Sequence, residues 1–159
     1  MLPLLSCAFA PLRGGGGRLL VALSLSFAVQ AALAVEFRSV AVDAAVLYDA
    51  PSTKARKLYI LGRDYPVEVV VALAGWTKVR DARGDLAWVE AGQLSERRML
   101  MARVPRAEVR EAPTESAEIA FLVEQDGLLE LLEMQGNYAR VRHADGSSGY
   151  VRVTQVWGL

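Results

Sequence analysis

Few side chains in this chain are equipped to make or break bonds. His143 is the sole histidine and Cys7 the sole cysteine. A zinc site needs three or four nitrogen, sulfur or oxygen ligands, and a serine relay needs a histidine base beside its nucleophile. One histidine with no second histidine or usable cysteine completes neither. Cys7 also lies in a segment expected to be removed, which leaves the mature chain without a disulfide or a thiol nucleophile. Glu68 and Glu130 hold the same place in two copies of a repeat, so they are expected on outward strand positions of separate units rather than as a catalytic carboxylate pair. Gly14 to Gly17 follow no strand and so do not form a phosphate loop. No catalytic residue, metal ligand set or cofactor is expected.

What remains is binding chemistry. Trp76, Lys78 and Arg80 alternate with Thr77 and Val79, which places the aromatic ring and both cations on one face of a strand. Tyr138, Arg140 and Arg142 repeat the arrangement. Trp76 and Tyr138 are therefore expected half exposed, and Tyr48, Tyr59 and Tyr65 extend the same rim. Aromatics beside cations suit grooves for sugars or peptides. The candidate ligand-binding residues are Tyr48, Tyr65, Trp76, Lys78, Arg80, Tyr138, Arg140 and Arg142. Core packing is the competing role for each aromatic, and the commoner one. Trp88 and Tyr150 are expected in the core, which large side chains fill in small closed sheets.

Two other features read more plainly. Arg97, Arg98, Arg103, Arg106 and Arg110 form either a patch for an anionic polymer or a solvated junction offset by Glu96, Glu108 and Glu111, and the solvated junction is favoured. His143 corresponds to Asp81 in a hairpin turn and reads as a solvated turn residue.

The elements that must position these residues are written twice, 62 residues apart. Between positions 45 and 94, twelve of fifty residues are identical at that offset, at 45, 50, 51, 55, 64, 68, 79, 80, 82, 84, 89 and 93. A gapless period of this length marks a duplicated structural unit. In the first copy, short β-branched or alternating runs at Ala45–Tyr48, Lys57–Leu61, Val67–Val71, Trp76–Arg80 and Leu86–Val89 are separated by Pro, Gly and Asp turns. Five short strands in about sixty residues describe a small barrel, with Leu94 as its last apolar plug. Leu128–Met134 has helical propensity, yet its counterpart Val67–Val71 does not, so it is expected to be a strand. No Gly/Ser linker separates the copies, so they are expected to touch.

Arg13 and Arg18, the apolar run Leu19–Ala28 and Ala32-Leu33-Ala34 together read as a secretory signal over residues 1–34, cleaved after Ala34. The run is too short and polar for a confident membrane span, so no stable span is expected after cleavage. The mature chain would carry 16 basic and 18 acidic side chains. That balance argues against nucleic-acid binding, which needs a basic surface.

Ala50-Pro51, Gly62 with Val67 and Val69, Gly75 to Arg80, Gly84, Trp88-Val89 and Leu94 occur in an order that resembles the bacterial Src-homology-3-like (SH3b) domain family. The second copy departs at Glu124 for Gly62, Asn137-Tyr138 for Gly75-Trp76, and Tyr150 for Trp88. The expected architecture is all-β: two tandem SH3-like barrels, residues 35–97 and 98–159, behind a signal peptide. The resemblance implies a periplasmic or secreted, non-catalytic envelope module that binds peptidoglycan or a protein partner. A scaffolding protein of the envelope with no wall ligand is the alternative.

Overall fold

In a computed structural model the described residues are 35–159, and they form two seven-stranded antiparallel sheets of the same connectivity, each an SH3-like barrel. The expected leader, with Cys7 and cleavage after Ala34, lies outside the described residues.

The first barrel contains β1 (Glu36–Val40), β2 (Ala44–Tyr48), β3 (Lys57–Gly62), β4 (Pro66–Leu73), β5 (Trp76–Arg80), β6 (Leu86–Glu90) and β7 (Leu94–Ser95), in the order β3-β2-β6-β5-β4-β1-β7. The second repeats this as β8 (Met99–Ala102), β9 (Arg106–Arg110), β10 (Ile119–Glu124), β11 (Leu128–Gln135), β12 (Tyr138–Arg142), β13 (Ser148–Arg152) and β14 (Val156–Trp157), in the order β10-β9-β13-β12-β11-β8-β14. Seven strands rather than five arise because the opening segment and the plug both pair. β1 lies between β4 and β7, with Val40 opposite Leu94.

Leu128–Gln135 is a strand despite its helical composition. β8 and β12 flank it, and only an extended chain satisfies its backbone groups on both sides while turning Leu129, fully buried, into the core. The ladder irregularity after Val69 recurs after Leu131, so the copies share their bulge. Asp64 and Asp126 both take a left-handed φ, 64° and 65°, in the turn before β4 and β11. Each donates its backbone N–H to the strand that opens its barrel, at Val40 and Ala102. Aspartate tolerates this conformation far better than bulky residues do.

Each barrel closes on its own core. Val40, Ala45, Leu47, Leu61, Val67, Val79, Ala87 and Val89 pack in the first. Leu100, Ala102, Ala107, Val109, Val123, Leu129, Ala139, Val141, Val151 and Val156 pack in the second. The barrels meet through a smaller contact: the Phe37 ring sits edge-on against Trp157 at 5.1 Å, and the Arg98 guanidinium lies 5.8 Å from the Phe37 ring.

Candidate functional site

The outer face of the first barrel gathers side chains from three adjacent strands. Thr77 pairs across from Val89 and Val79 from Ala87, and all four point inward. The residues between them must then point outward. Lys78 accordingly faces Trp88, and Trp88 faces Tyr48 on its other side. Trp88 is half-buried on this outer face rather than in the core, contrary to expectation. Its size suggested an interior position, but the interior of β6 belongs to the smaller Ala87 and Val89. Lys78 Nζ lies 5.9 Å from the Trp88 ring centroid, a cation–π contact worth about 0.5–1 kcal/mol at an exposed site.

Trp76 is half-buried on the same face and meets Tyr48 edge-to-face at 5.5 Å. Trp76 covers Tyr48, so Tyr48 is buried at 6% exposure even though it points outward. Arg80 completes the row, with its guanidinium donating to both oxygens of Glu68 at 2.8 Å. Trp76, Lys78 and Trp88 thus form one aromatic and cationic surface, with Tyr48 packed beneath it. Arg80 borders it as part of an ion pair.

The second barrel keeps the backbone of this face and changes its chemistry. Arg110, Tyr150 and Arg140 stand where Tyr48, Trp88 and Lys78 stand in the first. Tyr150 is half-buried and outward, so it also corrects the expectation of a core residue. Tyr138 is buried at 8%, not half exposed. The loop after β9 lies over it: Arg110 donates to the Glu115 and Ala117 carbonyls, and Arg152 pairs with Glu115 at 2.8 Å. A shallow groove of about 410 Å³ beside it is lined by Thr114, Asn137, Tyr138 and Arg152. Arg140 pairs with Glu133 at 3.5 Å. The cations here are neutralised within the barrel.

Arg142 belongs to a different place, the junction. Glu130 accepts from Arg97 at 3.1 Å and from Arg142 at 2.8 Å, and Arg97 reaches back to Asp64 of the first barrel at 3.2 Å. The connector arginine therefore ties the two barrels together. The expected offset by Glu96, Glu108 and Glu111 is realised only in Arg110 with Glu108. Glu130 and Glu68 each hold the equivalent arginine of their own barrel, as outward carboxylates in separate units. Arg97 and then Arg142, both donating to it, hold the Glu130 carboxyl down to about 2. The ordinary value is near 4.5. A carboxyl with a depressed folded pKa stabilises the fold above its unfolded pKa and stops doing so as pH falls through the folded one. The stability due to Glu130 is therefore present above pH ~4.5 and lost toward pH ~2. Both arginines are about half exposed, which reduces the contribution to about 1–2 kcal/mol. Urea unfolding midpoints between pH 4.5 and pH 2.5 are expected to fall more steeply in the native chain than in Glu130→Gln. Equal slopes would show that the network contributes nothing.

Tyr65 sits apart from the rim, in a cleft between the barrels where burial pushes its phenol up. Tyr59 shares the rim with neither group. Its phenol is pushed up to about 12, by burial and by the nearby Asp81 carboxylate, and the Arg83 guanidinium lies 5.6 Å from its ring. Asp81 is a turn-forming group: fully buried, it accepts from the backbone N–H groups of Arg83 and Asp85 at 2.9 Å. In the second barrel that carboxylate moves to Asp145, which accepts from Ser147 N–H at 2.8 Å and pairs with His143 Nδ1 at 3.1 Å. His143 is 39% exposed and serves its turn.

Of the candidate residues, the structure brings together Tyr48, Trp76 and Lys78. It places Arg80 at their border, Arg142 and Tyr65 at the junction, and Tyr138 and Arg140 on the other barrel. Sequence reasoning missed Trp88 as a surface residue and Trp157 altogether. Strand alternation against Ala87 and Val89 was the available signal for Trp88, and alternation against the core residue Val156 for Trp157. Among the described residues no group of three or more His, Cys, Asp or Glu is placed to hold a metal ion, and no helix is long and apolar enough to cross a membrane.

No curated protein matches the chain. Among solved structures it is similar to NlpC1 from Trichomonas vaginalis at 20% identity and a TM-score of 0.38, over 89% of this chain and 51% of that one. It is also similar to an NlpC/P60 family protein from Bacillus cereus ATCC 10987 at 17% identity and a TM-score of 0.35, over 76% of this chain and 55% of that one. The chain spans about half the length of these structures. A family model described as a bacterial SH3 domain matches it twice, over residues 41–96 and 103–158, and both matched segments are domains of a binding type. With both barrels matched in this way, the chain belongs to the bacterial SH3 domain family and carries two copies of the domain in tandem.

Proposed function

We propose that this protein is a non-catalytic binding module of the cell envelope, exported and cleaved after Ala34, that holds peptidoglycan through the outer face of its first barrel. The observation that carries the reading is the surface made by Trp76, Trp88 and Lys78 on adjacent strands, with Tyr48 packed beneath it. Flat rings give apolar area to a sugar or peptide at little entropic cost, and the ammonium adds attraction for its carboxylates. The second barrel, with Arg110, Arg140 and Arg152 of the matching face paired and its Tyr138 covered, acts as support.

Sedimentation with purified cell-wall sacculi tests this. The protein is expected to pellet with them, and Trp76→Ala or Lys78→Ala to weaken retention about tenfold while leaving the fold intact. Failure to pellet, together with capture by a defined envelope protein, would favour a scaffolding role. Release of soluble fragments from the sacculi by the pure protein would overturn the non-catalytic reading.

A further inference from the structure

A second concavity lies away from the aromatic face. It is a cleft of about 570 Å³ between the two barrels. Tyr65 and Arg83 line it from the first barrel; Met101, Arg103, Asp126 and Trp157 line it from the second. Its volume falls within the range of small-ligand sites. Neither barrel alone contains it.

The charges in the cleft are not equivalent. Arg83 is already matched by Asp81 at 3.3 Å and Asp85 at 3.9 Å. Among the described residues, Arg103 has no carboxylate within ion-pair distance, and Asp126 has no cation. Both side chains are exposed, and the homologous Asp64, by contrast, is taken up by Arg97 at 3.2 Å. One unmatched guanidinium and one unmatched carboxylate in a single cleft leave room for a ligand that brings the opposite charges with it. Tyr65, Met101 and Trp157 add apolar lining to the same cleft. Trp157 packs edge-on against Phe37 and Tyr65 packs against the first core, so the wall is formed before any ligand arrives.

We propose that this cleft is a second, separate binding site that takes a short peptide with a free C-terminal carboxylate. Arg103 receives the carboxylate through its planar fork of donors. Asp126 receives the peptide's ammonium group, and a side chain lies on Tyr65 and Trp157. The site exists only because the two copies are joined in one chain with a short connector, which makes its position and charge a product of the tandem.

The three tryptophans separate this site from the outer face of the first barrel. Trp76 and Trp88 report on that face, and Trp157 reports on the cleft. The experiment is a titration of the nitrogen-15-labelled protein, purified as its host makes it, with the tripeptide Ala-Phe-Ala. It follows the three indole N–H resonances and compares the free acid with the C-terminal amide and the N-acetyl form. The free acid is expected to move the Trp157 resonance with a Kd of roughly 0.1–1 mM and to leave Trp76 and Trp88 in place. The amide, and Arg103→Gln with the free acid, are each expected to bind at least about tenfold more weakly. Asp126→Asn keeps the left-handed turn, since asparagine tolerates that backbone, and is expected to weaken the free acid while leaving the N-acetyl form unaffected. The proposal fails if Trp157 does not respond up to ~10 mM, if amide and acid bind alike, or if only Trp76 and Trp88 respond. That last pattern would leave the aromatic face standing as the binding site and remove the cleft from consideration. Loss of sacculus binding with Trp157 still responsive would do the reverse.

Discussion

Truncation of Leu129 to Ala is expected to lower the stability of the second barrel by about 3 kcal/mol. Leu129 is fully buried on β11 and packs among Leu100, Ala102, Val109 and Val141, all close to zero exposure. A core this complete collapses only partly around a lost isobutyl group, so the penalty combines lost transfer free energy with a cavity. The two cores are separate clusters, with Phe37 against Trp157, the arginine network and the approach of β4 to β8 between them. The loss should therefore appear unequally. In urea, the Trp157 indole resonance is expected to shift its midpoint by the full amount, and the Trp76 and Trp88 resonances by less than half of it. Equal shifts of all three would show one cooperative unit in place of two coupled barrels.

Gly149→Ala is expected to cost about 2 kcal/mol although the repeat places an alanine there in the first barrel. The equivalent residue, Ala87, is buried at 1% and fits its core. At Gly149 an added Cβ would lie 2.6 Å from the Arg110 carbonyl oxygen and 2.7 Å from Val109 Cγ1. Both neighbours belong to β9, and the carbonyl is backbone that cannot rotate away. The cause is a closer strand approach. β13 pairs with β9 at two positions, Tyr150 opposite Arg110 and Val151 opposite Val109, whereas β6 pairs with β2 only at Trp88 opposite Tyr48. Absence of the side chain lets the strands close. The reciprocal change, Ala87→Gly, meets no such contact and is expected to cost about 1 kcal/mol through backbone entropy. Thermal unfolding of the two variants checks the pair. A milder effect at Gly149 than at Ala87 would contradict the close approach.

Position 149 also shows how far a repeat can be read. The identities at offset 62 locate the copies and their turns, and every strand of the first barrel has its counterpart in the second. They do not carry the packing at each position, because a glycine for an alanine changes strand separation by more than the loss of a methyl suggests. The turn after β4 makes the same point. The left-handed glycine is second in the two-residue turn at Gly75 and first at Gly136, so the same hairpin is closed by differently placed glycines.

The binding surface was legible in part. Alternation alone put Trp76, Lys78 and Arg80 on one face, and it held. Size misled at Trp88 and Tyr150. A large ring was expected inside, but the interior of a barrel this small is filled by Ala87, Val89 and Val151, and the rings lie outside against Lys78 and Arg140. Exposure misled at Tyr48 and Tyr138. Both point outward, and both are covered, one by Trp76 and the other by the loop that Arg110 and Arg152 hold down.

Side-chain direction along a strand follows from a period of two residues, so the amino-acid order sufficed to duplicate the barrel, set its turns and divide each strand into an inner and an outer row. The order of residues also outweighed helical propensity at Leu128–Gln135, since a copy with the same partners has the same hydrogen bonds to make. What lies over an outward side chain is another matter, because its cover comes from chain distant in sequence. Only the folded molecule could bring Arg97 between Asp64 and Glu130, lay Trp157 on Phe37, and open a cleft between two barrels whose walls come from separate stretches of the chain.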